Sequence, residues 1–452
     1  MASNMDKVFI TDKQTLEDLN ITGRYRPDSL FSIFNQTKTG GGEKLLDEMF
    51  HHPLTDPDLI NQRSNRFLYF QQNQLAFPVE TIVFNEMENY LHSGGGRTFF
   101  GSFFQVVRLY ALKAMGLRTE FEQLIKGLGA TAVALNHLNK FFSELMMEDP
   151  ENPLKTEIQQ FLELYNSVAL QWLPNFTQEQ KMNLFQLVAR DHHLRNSLAK
   201  ELKKVLQLVY NLDVYISVSL VAATRGLSYA KALPAEKYLI KANNCRHIAI
   251  ENGVGNPVLI DSSNNLLFLT GANMAGKSTF MKSLGTTLYL AHMGFPLAAD
   301  DMEFSVKDGV YTSINVPDDI NQGYSHFYAE VLRVKNVAEE VASGKNLLII
   351  FDELFKGTNV KDAFDATLAV SEAFSEYKNS AFVISTHIVE VGETLQQNGH
   401  AGVLFRYMPT EVIDGKPRYP YTLRTGISSD RHGMVIIKNE KILEIIKGDE
   451  EV

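Results

Sequence analysis

Apolar residues in the first half of the chain recur at the spacing of helices. Between residues 14 and 235, runs of helix-forming residues are interrupted by short clusters of Gly, Pro and Asn, such as those at 93–96 and 173–175. One run forms an apolar face from Leu194, Leu198, Leu202, Val205, Val209 and Leu212. Because a helix with one apolar face needs packing partners, the pattern predicts an all-α domain over residues 1–235.

The pattern changes after Pro234. Short apolar runs at 266–270, 347–351 and 382–385 are bounded by Gly, Asn or polar residues and alternate with helical segments. Short buried strands that alternate with helices are typical of a mostly parallel sheet covered by helices. The second domain, residues 236–452, is therefore predicted to be α/β.

The strand predicted at 266–270 leads directly into the sequence GANMAGKST, after which a helix is predicted. This matches the P-loop pattern G-x-x-x-x-G-K-[ST] in its required context. Glycines let successive backbone N–H groups face a phosphate, Lys277 supplies charge for the β and γ phosphates, and the Ser278 hydroxyl is a ligand for Mg²⁺. The predicted phosphate-binding residues are Gly271, Ala272, Asn273, Met274, Ala275, Gly276, Lys277, Ser278 and Thr279.

Two further buried runs end in polar residues. The run NLLIIFDE at 346–353 places Asp352 where it can hold Mg²⁺ and Glu353 where it can polarise an attacking water. The run FVISTH at 382–387 ends in His387, which can hydrogen-bond the γ-phosphate or the water. Either run alone is also compatible with a purely structural strand end. In this order, the motifs predict an ATPase with Lys277, Glu353 and His387 as catalytic residues, and with ATP and Mg²⁺ as cofactors.

The same motifs resemble those of the MutS family of DNA mismatch-repair ATPases. The sequence TGANMAGKST at 270–279 is similar to the family's T-G-P-N-M-G-G-K-S-T. The sequence DELFKGTN at 352–359 is similar to D-E-[LI]-G-R-G-T-S, with Phe355 in place of a glycine. Residues 30–63 resemble the opening of the family's core domain. The resemblance, which extends from about residue 14 to about residue 433, implies a MutS-type P-loop ATPase domain preceded by a helical core or lever domain.

A dimer is implied only by the resemblance. The sequence DDINQGYSHFYAE at 318–330 is similar to a family segment that reaches the γ-phosphate bound by the partner chain. The resemblance thus implies a homodimer in which Gly323, Ser325 and Asp362 face the partner's nucleotide. The alternative is a polar loop that leads into a helix. Tyr421 lies where the family has an aromatic residue or His near the base, but a tyrosine at a sheet edge is an equal interpretation.

The sequence shows no match to the mismatch-reading and connector domains that precede the family's core domain, so it does not decide whether mismatches are read directly. The net charge is −10, yet residues 181–246 carry eleven Lys or Arg and four acids, which makes this stretch +7 and the remainder −17. From this stretch we select four candidate DNA contacts, with a solvated helix face as the alternative: Arg195, Lys203, Lys204 and Arg225.

The leading hypothesis is an ATP-driven conformational switch that acts on mismatched, branched or otherwise irregular DNA. The alternatives are a MutS-like ATPase that acts on RNA, ribosomes or a protein partner, and a chain that only binds nucleotide. Cys245 is the single cysteine and no export signal is apparent, so we expect a cytoplasmic protein. The apolar stretch 206–223 contains Asn211 and Asp213, which favours a packed helix and no membrane contact.

Overall fold

The computed structural model describes residues 8–23, 28–94, 98–177, 182–314, 326–413, 416–428 and 445. The chain forms two compact units. The sheet unit comprises residues 1–34, 49–68 and 221–452, and the helical unit comprises residues 35–48 and 69–220. The sequence predicted a single boundary at residue 235, whereas these units interleave segments of the chain.

The described part of the first 225 residues is helical, as predicted. Its α-helices are α1 Lys13–Asp18, α2 Leu30–Phe34, α3 Gly40–His51, α4 Pro57–Asn73, α5 Thr81–His92, α6 Phe99–Ala114, α7 Thr119–Glu148, α8 Lys155–Tyr165, α9 Leu184–His192 and α10 Ala199–Arg225. A short 3-10 turn spans Val168–Leu170, and a π-helical turn spans His193–Ser197 between α9 and α10.

The predicted apolar helix is α10, although Leu194 falls in the π-helical turn before it. Of the described helices, α10 alone is long and apolar enough to cross a membrane, but 72% of its most apolar 18-residue window is buried within the protein. Its Asp213 carboxylate accepts hydrogen bonds from the amides of Lys38 (2.9 Å) and Thr39 (2.8 Å) at the start of α3. A buried carboxylate with these donors suits a packed helix, as the sequence predicted.

A six-stranded sheet forms the centre of the sheet unit. Its strands are β4 Leu266–Gly271, β6 Gly309–Ser313, β7 Leu347–Asp352, β8 Ala381–Ser385, β9 Val403–Met408 and β12 Arg424–Thr425, in the order β12-β9-β4-β8-β7-β6. All neighbours are parallel except β12, which runs antiparallel to β9. The described helices of this half are α11 Lys277–His292, α12 His326–Ala342, α13 Val360–Ser375 and α14 Val389–Gln397.

A second sheet differs from the sequence prediction. It consists of β1 Ala230–Leu233, β2 Ile240–Cys245, β3 Asn256–Ile260 and β5 Asp301–Ser305 in the order β1-β5-β2-β3, and a separate hairpin pairs β10 Glu411–Ile413 with β11 Lys416–Arg418. Strand β1 lies in the segment predicted to be helical, so that prediction is wrong there. Four residues are too few for a two-residue period to be distinguished from a helical one.

The amino-terminal segment packs on the edge of the six-stranded sheet. Ile10 forms a parallel bridge with Gly309, and its amide donates to the carbonyl oxygen of Asp308 at 2.8 Å. From α1, Asp18 accepts hydrogen bonds from the Thr312 hydroxyl (2.8 Å) and the Ile314 amide (2.9 Å). Residues about three hundred positions apart in the chain therefore pack together in the sheet unit.

Candidate functional site

The predicted site residues converge because three neighbouring strands end at one edge of the sheet. Strand β8 lies between β4 and β7, all three run parallel, and Asp352 is paired with Ser385 in the register. The loops after β4, β7 and β8 therefore begin side by side. In open α/β sheets, ligands bind outside this carboxyl edge.

The loop after β4 depends on two glycines. Gly271 has a φ of 139° and Gly276 a φ of 103°, and both values favour glycine. A Cβ atom on Gly271 would lie 2.6 Å from the carbonyl oxygen of Met408, and one on Gly276 would lie 2.9 Å from Cδ1 of Tyr421. Only glycine fits at these two positions without a local shift. Helix α11 begins immediately afterwards, at Lys277.

Lys277 is held inside this loop. Its side chain is buried, and Nζ donates hydrogen bonds to the carbonyl oxygens of Gly271 (2.8 Å) and Ala272 (3.2 Å). Burial lowers the pKa of the Lys277 ammonium, and the nearby carboxylates of Glu353 and Asp352 oppose that change. A cation at the start of a helix, beside exposed backbone N–H groups, suits an anionic ligand.

Ser278 and Asp352 meet across the strand ends. The Ser278 hydroxyl donates to Asp352 Oδ2 at 2.5 Å, whereas Asp352 Oδ1 is buried without a hydrogen-bond partner. A buried carboxylate oxygen without a donor is costly, and a hard cation would satisfy it. Hydroxyl and carboxylate oxygens are ligands that suit Mg²⁺, which commonly takes one or two protein carboxylates together with substrate phosphates and water.

Glu353 and His387 also lie at this edge. The Glu353 amide donates to the carbonyl oxygen of Ser385 at 2.9 Å, which fixes the backbone at a φ of 56°. Glu353 Oε1 lies 3.9 Å from His387 Nδ1, and Oε2 lies 4.0 Å from Lys356 Nζ. The His387 side chain is 56% exposed, so it is accessible to a ligand at the sheet edge.

The residue that replaces the family's glycine adopts a glycine-like backbone conformation. Phe355 has a φ of 60°, and its side chain is buried. Its ring centroid lies 6.1 Å from that of Phe327, in the first turn of α12. A Cβ atom on Gly357 would lie 2.9 Å from the Phe327 amide nitrogen. The loop after β7 therefore packs closely on the start of α12.

Lys277, Ser278, Asp352 and Glu353 line a cavity of about 880 Å³, whereas His387 does not line it. The loop between β2 and β3 forms another part of its wall, through His247, Ile250, Asn252, Gly253 and Val254. Sequence reasoning missed this loop because it carries no spaced motif. Tyr421 also lines the cavity, and its carbonyl oxygen accepts a hydrogen bond from Asn256 Nδ2 at 2.9 Å. Of the predicted phosphate-binding residues, Asn273, Met274 and Thr279 are exposed on the cavity wall and Ala275 is buried.

The residues predicted to face a partner chain are placed only in part. Gly323 and Ser325 lie outside the described residues. Asp362 is exposed in the first turn of α13, where its carboxylate accepts a hydrogen bond from Asn359 Nδ2 at 2.5 Å. It does not line the cavity of its own chain. Its predicted role toward a partner remains a prediction.

Among the candidate DNA contacts, the prediction for Arg195 is wrong. Its side chain is 4% exposed and forms an ion pair at 2.7 Å with Asp191, which is 0% exposed. The guanidinium also donates to the Ser93 hydroxyl and the carbonyl oxygen of Gly94, so most of its donors are used inside the helical unit. Lys203 and Lys204 are exposed on α10. Arg225 is exposed too, and it donates to the carbonyl oxygen of Ile248 at 2.9 Å.

Comparison with known proteins agrees with this architecture. The family model of MutS domain III matches residues 14–219, and that of MutS domain V matches residues 267–451. Relatives named DNA mismatch repair protein MutS include that of Streptococcus agalactiae, 29% identical over 272 residues, which cover 58% of this chain and 30% of the relative.

Two other relatives with this name match along nearly the whole chain. The protein of Pseudothermotoga lettingae is 22% identical over 549 residues (99% of this chain, 66% of the relative). That of Thermosipho melanesiensis is 24% identical over 554 residues (99% and 65%). The matches span between about a third and two thirds of the relatives' length. With a helical region that matches domain III and an α/β region that matches domain V, this chain belongs to the MutS family.

Proposed function

We propose that this chain is a Mg²⁺-dependent P-loop ATPase that couples ATP binding and hydrolysis to a conformational change on mismatched, branched or otherwise irregular DNA. The observation that carries the ATPase assignment is the arrangement of Lys277, Ser278 and Asp352 at one sheet edge, with one buried Asp352 oxygen lacking a donor. The MutS domains of the chain and the names of its relatives support the link to DNA repair. We further propose that it works as a cytoplasmic homodimer.

The loop after β4 binds the phosphates. Its backbone N–H groups and the amino terminus of α11 offer donors and a positive dipole, and the Lys277 ammonium adds a full charge. This ammonium donates to the carbonyl oxygens of Gly271 and Ala272, which hold it inside the loop. Phosphate oxygens would take the place of these acceptors.

Ser278 and Asp352 hold the metal. The Ser278 hydroxyl oxygen and the Asp352 carboxylate are the ligands that the chain offers, directly or through water. Bound Mg²⁺ neutralises charge that develops on the β and γ phosphate oxygens. Since the Ser278 hydroxyl donates its proton to Asp352, the serine oxygen keeps lone pairs available for a cation.

Glu353 is the general base. Its carboxylate accepts a proton from water as the water oxygen bonds to the γ phosphorus and the bond to the ADP oxygen breaks. His387, 3.9 Å from Glu353, orients the water or donates to the γ-phosphate. The cavity of about 880 Å³ is within the usual range for small-molecule sites, and the loop after β2 together with Tyr421 forms the wall that we assign to the nucleoside.

The decisive test is Glu353→Gln. This change keeps the shape of the side chain but removes the base, so ATP binding is retained while turnover falls by about 10²–10⁴-fold. The matched control is Glu390→Gln, which changes an exposed acid in the first turn of α14. Turnover is measured by phosphate release, and binding by a fluorescent ATP analogue. Unchanged turnover in Glu353→Gln would exclude this assignment.

The DNA part of the proposal has its own test. ATPase rates are compared at low and moderate salt, with homoduplex, mismatched and branched DNA and with a structured RNA. Stimulation by mismatched or branched DNA supports the leading hypothesis. The net charge of −10 and the burial of Arg195 favour the alternative of an RNA or protein partner. Stimulation of the ATPase rate by RNA alone, or by none of these ligands, would support that alternative.

A further inference from the structure

Helix α6 has two apolar faces. One face is buried in the helical unit through Ser102, Val106 and Leu109. The other face is open and carries aromatic rings. We define the aromatic face as six side chains: Phe99, Phe100, Phe103, Phe104 and Tyr110 of α6, and Phe185 of α9. All except Phe103 are exposed, and Phe103 is included because its ring contacts those of Phe104 and Phe185.

The aromatic face differs from the remaining described surface. The exposed phenylalanines of the described residues all lie on it, at 45% for Phe99, 74% for Phe100, 69% for Phe104 and 70% for Phe185. Elsewhere, the exposed large apolar residues are aliphatic residues, methionine or tyrosine. Ring centroids of neighbours are 6.0–6.5 Å apart. Exposed apolar surface that is concentrated in this way marks an interaction site.

The charge around this face is positive, although the chain as a whole is acidic. Residues 93–118 contain four Lys or Arg and no Asp or Glu, within a chain of net charge −10. Arg108 is 69% exposed, and its 3.7 Å contact with Glu120 is also exposed and therefore weak. Lys113, near the end of α6, has its Nζ 4.4 Å from the centroid of the buried Phe121 ring of α7. The helix that carries the rings thus also carries cations, and this charge favours an anionic partner.

We propose that the aromatic face binds unpaired bases of single-stranded nucleic acid, with the bases stacked on the rings and the phosphates paired with Arg108 and Lys113. Exposed aromatic rings beside cations are the chemistry by which single strands bind without sequence preference. An acidic protein surface would pair with the cations but would not stack on the exposed rings. Duplex DNA keeps its base faces stacked on one another, so they are not available to the rings. This inference deepens the proposed function and rests on its DNA part, but it uses no residue of the nucleotide cavity.

The test is fluorescence anisotropy of a labelled oligothymidylate and of a duplex of equal length, with the full chain, at several salt concentrations. Phe100→Ala/Phe104→Ala is expected to weaken single-strand binding at least tenfold. Arg108→Gln is expected to reduce the slope of log K against log salt by about 0.7. The matched control is Ile82→Ala, which truncates another exposed apolar residue of the helical unit, 72% exposed on α5, and leaves binding unchanged.

Several outcomes would overturn the inference: no binding of the oligonucleotide, equal binding by the Phe100→Ala/Phe104→Ala variant, or equal affinity for duplex. Capture by phosphatidylglycerol vesicles without oligonucleotide binding would assign the face to a membrane surface, and self-association lost in the double variant would assign it to a second copy. The basal ATPase rate without nucleic acid is measured in parallel. Oligonucleotide binding in a chain that does not hydrolyse ATP would reject the proposed ATPase and retain this inference.

Discussion

Arg195→Met tests whether Arg195 belongs to the interior of the helical unit or to a DNA-binding surface. The guanidinium donates from Nε and Nη2 to the two carboxylate oxygens of Asp191, each at 2.7 Å. The side chains are 4% and 0% exposed. Methionine fills similar space but removes the guanidinium donors from the Asp191 carboxylate, which keeps the hydrogen bond from the Tyr90 hydroxyl at 2.7 Å. Removal of one partner from a buried ion pair costs about 3–5 kcal/mol.

Differential scanning calorimetry measures this loss. A destabilisation of this size lowers Tm of the helical unit by about 6–20 °C. Arg195→Lys keeps the charge but not the bidentate geometry, so its Tm lies between those of the wild type and Arg195→Met. Lys203→Met, at an exposed position of α10, serves as the control and changes stability by at most about 0.5 kcal/mol. A normal Tm in Arg195→Met together with weaker DNA binding would refute the structural role.

Three further predictions concern the sheet unit. Phe355→Gly relieves about 1–2 kcal/mol of left-handed backbone strain but loses a buried ring worth about 3–5 kcal/mol. We therefore expect a lower Tm, and a raised Tm would contradict the packing on α12. Gly276→Ala weakens binding of a fluorescent ATP analogue because the added Cβ meets Tyr421. The control Gly344→Ala has comparable backbone strain but open space around the added Cβ, so it binds the analogue normally. Equal affinities of the two variants would refute this prediction. If Ser325 acts in trans, mixing Ser325→Arg and Lys277→Ala chains restores one working site per heterodimer, and no recovery of ATPase activity would exclude a composite site.

The sequence predicted the parts of the site that depend on local pattern. Gly271 and Asp352 end buried strands, and Gly276 and His387 lie in the loops just after such strands, so their common location follows from the parallel order of β4, β8 and β7. The match to MutS motifs added Phe355 as a departure from glycine, and the structure places that residue at a positive φ. These features could be predicted because each depends only on residues that are close together in the sequence.

The remaining features depend on contacts between distant segments. Arg195 is buried because it meets Ser93 and Gly94, about a hundred positions earlier in the chain, and a count of basic residues cannot show this. The cavity wall after β2 contains no motif, since its residues reach the site only through the position of β2 in a second sheet. Strand β1 was missed because its partner β5 follows about seventy residues later.

The pairing of Ile10 with Gly309 has a consequence for the order of events during synthesis. Residues 35–48 and 69–220, which hold all segments of the helical unit, are made before residue 221, whereas the sheet unit combines residues 1–34 and 49–68 with residues 221–452. Closing a loop of about three hundred residues is slow, and domains fold as units while the chain emerges from its amino terminus. The amino-terminal segment must therefore wait, with residues such as Phe9 and Ile21 that are buried in the folded chain still uncovered, until its partners at residues 308–314 are made. We therefore expect nascent chains of this protein to need protection of this segment until β6 has been translated.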